Sequence, residues 1–425
     1  MIEKFATYIE DKLSVPAARL AEQRHLKAVR DGIIAALPLI IVGSMYMVVA
    51  FAPFPENWAI KQFLSANATT ILLPYRVTMY IMSLYASWGI GYSLARSYKL
   101  DGLVGGTLAA AGFLLTLVPI NGDAGLMLPM GNMGGGSMFV AILMSIYAVE
   151  LYHFTEAKNF KIKMPASVPE SVSRSFASIT PAAMLMLTVG TVTYYLGFDW
   201  HSAISNIVGP MVSVVDTLPS GLFISFLTQG FWWLGIHGGS VVSSVTRPFE
   251  LAILDSNAAQ FAAGQPVTGF LAEPFSQWFR AIGGSGATLA LCILMLFFSK
   301  SNYLKKLGKA CIVPGIFNIN EPVMFGLPVV MNPIMLIPFM IVPLVLTAIT
   351  WFAMATGLVN HVVLMATWTL PGPIGAFLAT GNDWRAIVLQ VLNLLVAIII
   401  YYPFFVVQDR KMVEEEKALE AELEG

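Results

Sequence analysis

The stretch "GIIAALPLIIVGSMYMVVAFAPFP", residues 32–55, contains no charged side chain. A helix needs roughly 20 apolar residues to cross about 30 Å of hydrocarbon, and this run exceeds that. Further uncharged runs follow at Val77–Ala95, Gly102–Ile120, Ala124–Val149, Ala177–Phe198, Thr217–Thr246, Ala281–Ser299 and Ala386–Gln408. Each is long enough to span as a helix. A soluble helical protein would show charged faces at 3.6-residue spacing, and those are absent. The chain therefore reads as an all-α integral membrane protein.

Composition agrees. Hydrophobic residues make up 57% and charged residues 12% of the chain, against about 25% charged in soluble domains. The mean hydropathy is +0.72. A net charge of −1 gives no basis for nucleic-acid binding. The two cysteines, Cys292 and Cys311, form no C-x-x-C pattern, so neither a disulfide framework nor a metal site is expected. The first apolar run is too long for the core of a cleavable signal and lacks an A-x-A exit. Residues 1–31 carry six Lys or Arg. Ile2, Phe5, Ile9 and Leu13 recur at helical spacing, which predicts a basic amphipathic helix on the membrane surface.

Lys and Arg collect on the cytoplasmic side. The basic N-terminal segment, Arg96 with Lys99, and Lys158, Lys161, Lys163 and Arg174 thus mark the inside, and residues 100–157 hold no Lys or Arg. Five plain crossings follow: out after Pro55, in near Arg96, out near Asn121, in near Lys158, out near Asp199. The second half is interrupted. Residues 310–382 hold one charged residue, Glu321, and are broken at "VPGIFNINEPVMFGLP" (313–328) and "WTLPGPIGAFLATGN" (368–382). Non-helical backbone at membrane depth needs protein or a water-filled cavity around it, and transporters build sites from such broken helices. Residues 237–281 and 310–332 are the expected re-entrant hairpins. With ten spans and both ends inside, Lys300, Lys305, Lys306 and Lys309 fall outside, against their charge preference. The sequence leaves that conflict open.

The chain divides into a basic N-terminal segment (1–31), a five-helix half (32–200), a half with the interrupted segments (201–408) and an acidic tail (409–425). The tail reads first as a solvated, fraying helix.

Glu321 carries the strongest chemical signal. A carboxylate at membrane depth costs at least ~2.5–3.5 kcal/mol, so it faces a cavity or a partner. Asn318 and Asn320 stand beside it, and Pro322 disfavours a helical Glu321. The alternative is a carboxylate that caps a broken helix or pairs with a lysine. His237, in "WWLGIHGGS" (232–240), is the second candidate. Gly238 and Gly239 let a ligand approach the backbone, and Trp232 and Trp233 offer aromatic faces beside polar groups, as a sugar site requires. The plain alternatives are a histidine bonded to a neighbour such as Ser240, and tryptophans used for packing. His153, His201 and His361, and the charges Asp216, Arg247, Glu250, Asp255, Glu273 and Arg280, point less clearly to chemistry. No GxxxxGK[ST] cradle is present, so a phosphoryl donor would have to be another protein.

On "GIHGG" (235–239) and "NEPVMFGLP" (320–328) the chain resembles the enzyme IIC component of the bacterial sugar phosphotransferase system. The likeness runs over nearly the whole chain, through "WTLPGPIGAFLATGNDWRA" (368–386). Asn318-Ile319-Asn320-Glu321 departs from the Gly-Ile-Thr-Glu of glucose-type relatives and argues for the lactose/cellobiose/diacetylchitobiose branch. The resemblance implies about ten transmembrane helices plus two re-entrant hairpins. It implies a homodimer held by the N-terminal half, a sugar enclosed by the C-terminal half, and a bacterial cytoplasmic membrane with both termini inside. It also implies no bound cofactor or metal, with phosphoryl donated by a phosphocysteine on a separate IIB protein that IIA serves. The family's histidine and glutamate would be His237 and Glu321, the catalytic pair. Asn320, Asn318, Gly238, Gly239, Trp232 and Trp233 would line the substrate, a β-linked disaccharide. Which of His237 and Glu321 is the base stays open. The rival reading is a proton-coupled symporter with Glu321 as its proton site.

Overall fold

In hydrocarbon a segment must satisfy its own backbone, and a helix does so without a partner. The computed structural model describes residues 22–424 except 53, 124, 163, 166, 167, 169, 328 and 331, with backbone alone at 170–175, 419 and 421–424. Of the expected amphipathic helix, 1–31, residues 1–21 lie outside the described residues, and Arg24–Asp31 form the start of the first long helix, Arg24–Ala50.

The five runs expected to cross fall on α1 (Arg24–Ala50), α2 (Met82–Ser97), α3 (Gly102–Leu114), α4 (Met138–Ala157) and α5 (Glu170–Leu185, prolonged by a π-helical stretch Met186–Tyr195). Side chains cap two of them. Gln23 accepts from the Leu26 amide at 2.7 Å, and Asp101 from the Leu103 amide at 2.8 Å. The helices pack through small residues. A Cβ on Gly91 would lie 2.5 Å from the Gly105 carbonyl oxygen, and one on Gly105 2.7 Å from that of Gly91. Close approach of this kind is how helices associate when lipid competes for apolar contact. One boundary differs from expectation. The run 124–149 is helical only from Met138. Before it, Ile120–Gly122 and Gly125–Met127 form a two-stranded hairpin, and Gly134, Gly135 and Gly136 favour turns over helix. In compensation α4 runs on through Glu150 and Glu156.

The second half contains α6 (Trp200–Val215), α7 (Leu218–Trp233), α8 (Gly238–Ala262), α9 (Leu289–Phe298), α10 (Asn302–Ile316), α11 (Glu321–Gly326), α12 (Pro333–Ala355), α13 (Gly372–Ala379) and α14 (Trp384–Glu424). α6 and α7 meet at 77°. Residues 237–281 are not a hairpin, contrary to expectation. They form the 25-residue α8 and then a separate returning segment, broken except for a short α- and π-helical stretch at Glu273–Arg280 before α9 begins. Asn257 stabilises that irregular backbone, donating to the Gly269 and Val362 carbonyls at 2.8 and 2.9 Å and accepting from the Gly269 amide at 2.9 Å.

The stretch 310–332 does double back, from α10 into α11. Asn318, at φ 62°, makes the turn, and the Tyr303 hydroxyl closes the base on the Gly326 carbonyl at 2.9 Å. A second doubled-back segment occupies 363–379, where the Val363 amide donates to the Ala379 carbonyl at 2.7 Å. The two meet at their tips. Asn318 donates to the Trp368 and Leu370 carbonyls at 2.7 and 3.1 Å.

Contacts identify the ends of the bundle. Glu150 on α4 accepts from the Tyr98 hydroxyl at 2.5 Å and lies 2.9 Å from His25, so the start of α1 and the end of α2 share one end. Asn382 donates to the Phe51 carbonyl at 3.3 Å, which places the start of α14 at the other end. From there α14 carries Asp409 about 38 Å along its axis, back to the Arg24 end. Asp409 accepts from the Lys300 amide at 2.9 Å. The Lys300–Lys309 segment therefore shares the Arg24 end with the tail. The charge conflict disappears because residues 263–298 make one broken passage rather than part of a hairpin.

By length and composition, five described helices can cross a membrane, or six if the bent α6–α7 pair is one span. α3 and α9 are shorter apolar helices. A buried cluster joins Ile33, Ile40 and Met47 of α1 to Leu251 and Leu254 of α8 and to Phe275 and Trp278. The two halves thus share a core.

Two outcomes check this architecture. Gly91→Val should lower the melting temperature of the purified protein, since overpacking a close contact costs about 1–3 kcal/mol; an unchanged melt would refute the close α2–α3 packing. Cysteines placed at Lys305 and Glu414 should react with a membrane-impermeant maleimide from one face of the membrane, and a cysteine at Asn360 from the opposite face. Labelling of all three from one face would overturn the end assignment.

Candidate functional site

Beside the core a cavity of about 270 Å³ lies between α1, α7, α8 and residues 273–285, a short helical stretch that ends in irregular backbone. His237 and Arg30 stand near its mouth, at the Arg24 end. Trp233, just before His237, donates to the Asn332 carbonyl at 3.2 Å, and Asn332 in turn donates to Gln408 of α14 at 3.1 Å. This fixes the depth at which α8 begins.

His237 is the N-cap of α8. Its Nδ1 accepts from the Ser240 amide at 3.0 Å, and the Ser240 hydroxyl lies 3.0 Å from the same nitrogen. A neutral imidazole has one donor and one acceptor. With Nδ1 held as acceptor by a backbone N–H, the proton belongs on Nε2. The ring is exposed and packs on Trp232, with centroids 4.4 Å apart. His237 thus presents a hydrogen-bond donor at Nε2.

The glycines have different tasks. A Cβ on Gly238 would lie 1.9 Å from the Thr228 carbonyl oxygen, so Gly238 is required for α8 to pass α7. Gly239 lines the cavity. Trp232 is buried beneath His237, and neither it nor Trp233 lines the cavity. Gly238, Trp232 and Trp233, expected against the substrate, serve packing and support in this structure. The aromatic-plus-glycine pattern reflected a helix crossing as well as a site.

Asn318 also departs from expectation. Both its amide hydrogens go to the Trp368 and Leu370 carbonyls, and its oxygen accepts from the Gly283 amide at 2.9 Å. It pins the two hairpin tips and the broken segment together. Asn320 is buried, presses against Gly284 and donates to the Ser285 carbonyl at 3.1 Å. Ser285 lines the cavity. Glu321 follows on the exposed first turn of α11, outside the cavity lining. The structure thus links the Asn320–Glu321 turn to one wall of the cavity that His237 borders.

The deep wall carries charges that the sequence did not single out. Arg247 pairs with Glu273 at 2.6 Å. Glu250 is buried and bonded by Thr246, with Arg280 close by. Arg280 donates to Ser225 at 2.8 Å, and Ser225 shares a 3.0 Å hydrogen bond with Thr347. Two arginines and two glutamates cancel, so the wall is polar yet neutral, as buried charges require. Arg247 Nε and Glu273 Oε2 are buried without a protein hydrogen-bond partner among the described residues. A wall with donors and acceptors but no net charge suits a neutral polyhydroxylated ligand. The signal available beforehand was the cluster of charges at 247–280 in an otherwise apolar half. Their pairing came from the fold. No group of three or more His, Cys, Asp or Glu able to hold a metal occurs among the described residues.

Comparison with known proteins identifies the family. Residues 30–343 match the family model described as "Phosphotransferase system, EIIC". The chain is 38% identical over 437 residues to the "PTS system cellobiose-specific EIIC component" of Geobacillus stearothermophilus, covering 98% of this chain and 97% of that one. It is 30% identical to the "PTS system lactose-specific EIICB component" of Lacticaseibacillus casei, over 97% of this chain and 73% of that one. Among solved structures it matches "the transporter ChbC, the IIC component from the N,N'-diacetylchitobiose-specific phosphotransferase system", with a TM-score of 0.90, 36% identity, and coverage of 96% of this chain and 99% of that one. With a matching family model over most of its length and these relatives over nearly all of it, the chain belongs to the EIIC family of the sugar phosphotransferase system, in its lactose/cellobiose/chitobiose branch.

Proposed function

We propose that this protein binds a β-linked disaccharide from outside and presents it inside for phosphorylation by a phosphocysteine of a separate IIB protein. The carrying observation is the placement of His237, a fixed Nε2 donor, beside a polar cavity with a charge-paired wall, whose far side leads to Asn320 and Glu321. The relatives' printed specificities, cellobiose and diacetylchitobiose, support the sugar class. A relative named as an EIICB component supports IIB as the partner.

In the proposed reaction the sugar hydroxyl oxygen attacks phosphorus. The sulfur–phosphorus bond breaks, an oxygen–phosphorus bond forms, and the hydroxyl proton passes to a base. His237 is poorly placed for that role, because its acceptor nitrogen is already used by Ser240. We assign the base to Glu321, whose exposed turn a protein donor can reach, and the orienting hydrogen bond to His237. A loose phosphoryl transition state asks mainly for positioning and electrostatics. Arg247 Nε and Glu273 Oε2 would hold hydroxyls of the sugar within the cavity. The anionic product then leaves, since the site is shaped for a neutral ligand.

The topology proposed with this function has ten crossings, two hairpins and both ends in the cytoplasm. It is supported by tracing α1–α5, α7, α8, the broken passage 263–298, α12 and α14 from end to end, with α6 outside the count. It puts Lys300–Lys309 inside, as their charge prefers. A homodimer remains part of the proposal, as do the domain limits 32–200 and 201–408.

In proteoliposomes, labelled cellobiose or diacetylchitobiose should become sugar phosphate only with phosphorylated IIB. Glu321→Gln should lose phosphorylation by about 10²–10⁴-fold, the range for a general base, and keep sugar binding. Uptake of unmodified sugar driven by a pH gradient without IIB would overturn the proposal for the symporter. His237→Asn should preserve the cap of α8 and the melting temperature, yet weaken sugar binding by about 10-fold, because the shorter amide no longer brings an N–H donor to the position of Nε2. Unchanged binding would remove His237 from the site.

A further inference from the structure

The hairpin that carries Asn320 and Glu321 stands on one helix at both feet. At its entry, Asp409 of α14 accepts from the Ser299 hydroxyl, the Lys300 amide at 2.9 Å and the Ser301 amide at 3.1 Å. Two turns further along α14, Glu416 accepts from the Ser301 hydroxyl, the Asn302 amide at 3.1 Å and the Tyr303 amide at 2.8 Å. The Ser301 hydroxyl itself accepts from the Leu304 amide at 3.1 Å. Between them, Ser301 and Glu416 satisfy the first three amides of α10, groups that no helix satisfies internally. At the exit, Asn332 caps α12 and donates to Gln408 of α14 at 3.1 Å. Tyr303, whose amide Glu416 holds, ties the two strands of the hairpin together through Gly326.

This arrangement departs from the expected solvated tail. Asp409 is almost fully buried, and the carboxylate of Glu416 is spent on backbone. A carboxylate at a helix N-terminus is also favoured by the helix dipole. Neither residue lines the cavity, so neither touches substrate. What they hold is the hairpin whose turn places Asn320 on Ser285 and Glu321 beside it.

We propose that Glu416 and Asp409 are positioning residues for phosphoryl transfer, with the C-terminal end of α14 acting as the seat that sets the Asn320–Glu321 turn relative to His237. This rests on the phosphotransfer reading above. In the seat's absence the hairpin still forms through Tyr303–Gly326 and its tip contacts, but its turn is free to shift by a fraction of an ångström to an ångström. Misplacement on that scale costs transfer far more than it costs sugar binding.

The test uses the full chain in proteoliposomes with phosphorylated IIB. Wild type, Glu416→Ala, Glu416→Gln, a chain ending at Val413, and Glu414→Gln as a control off the seat are compared. Sugar binding, single-turnover phosphorylation and melting temperature are measured for each. Glu416→Ala and the shortened chain should slow phosphorylation about 10–100-fold, with sugar binding within about threefold and little change in melting. Glu416→Gln, which keeps an acceptor oxygen, should recover part of the rate, and Glu414→Gln should match wild type. Unchanged turnover in Glu416→Ala would overturn the proposal. So would a parallel fall in turnover, binding and melting temperature, which marks a purely structural contact. Failure of the phosphotransfer reading is distinguishable, since wild type would then form no sugar phosphate at all.

Discussion

Backbone that leaves the helical hydrogen-bond ladder at membrane depth must be bonded by side chains, and the second half of this protein is organised around that requirement. Asn257 holds Gly269 and Val362. Asp216 accepts from the Phe270 and Leu271 amides. Asn393 reaches the Phe279 carbonyl, and Asn318 fastens Gly283, Trp368 and Leu370. A buried amide or peptide group without such a partner costs several kcal/mol in an apolar medium. Each of these side chains therefore fixes the path of an irregular segment. The site follows from them, because one wall of the cavity is the broken segment 273–285 that these contacts hold in place.

The same constraint separates residues that bind from residues that build. Asn318 and Asn320 are two positions apart in sequence, yet one is consumed by hairpin tips and the other faces the segment that lines the cavity. Gly238 and Gly239 are adjacent, yet one permits a helix crossing and the other opens the cavity wall. His237 caps a helix and borders the cavity at once. Capping fixes its tautomer and so its chemistry.

Charge is handled by pairing. The deep wall brings two arginines and two glutamates together, which lets a membrane cavity be polar without attracting ions. At the Arg24 end, the acidic residues of α14 are used on the amides of the Ser299–Tyr303 corner, beside the lysines that the chain keeps on that face.

The sequence by itself determined that this is a helical membrane protein and where its long uncharged runs lie, and it singled out Glu321 and His237 as candidates. Those properties depend on local composition and on single rare residues in apolar surroundings, and each is visible in a short window. The second hairpin at 363–379, the passage 263–298, the Arg247–Glu273 pair and the seat on α14 were decided only by the tertiary structure. Each joins residues between 16 and over 100 positions apart, and no local periodicity records which amide a distant asparagine or glutamate will meet. The same distance explains the substrate roles first given to Trp233 and Asn318. Residue type showed that a hydrogen bond had to be made there, and only the fold showed that its partner was backbone.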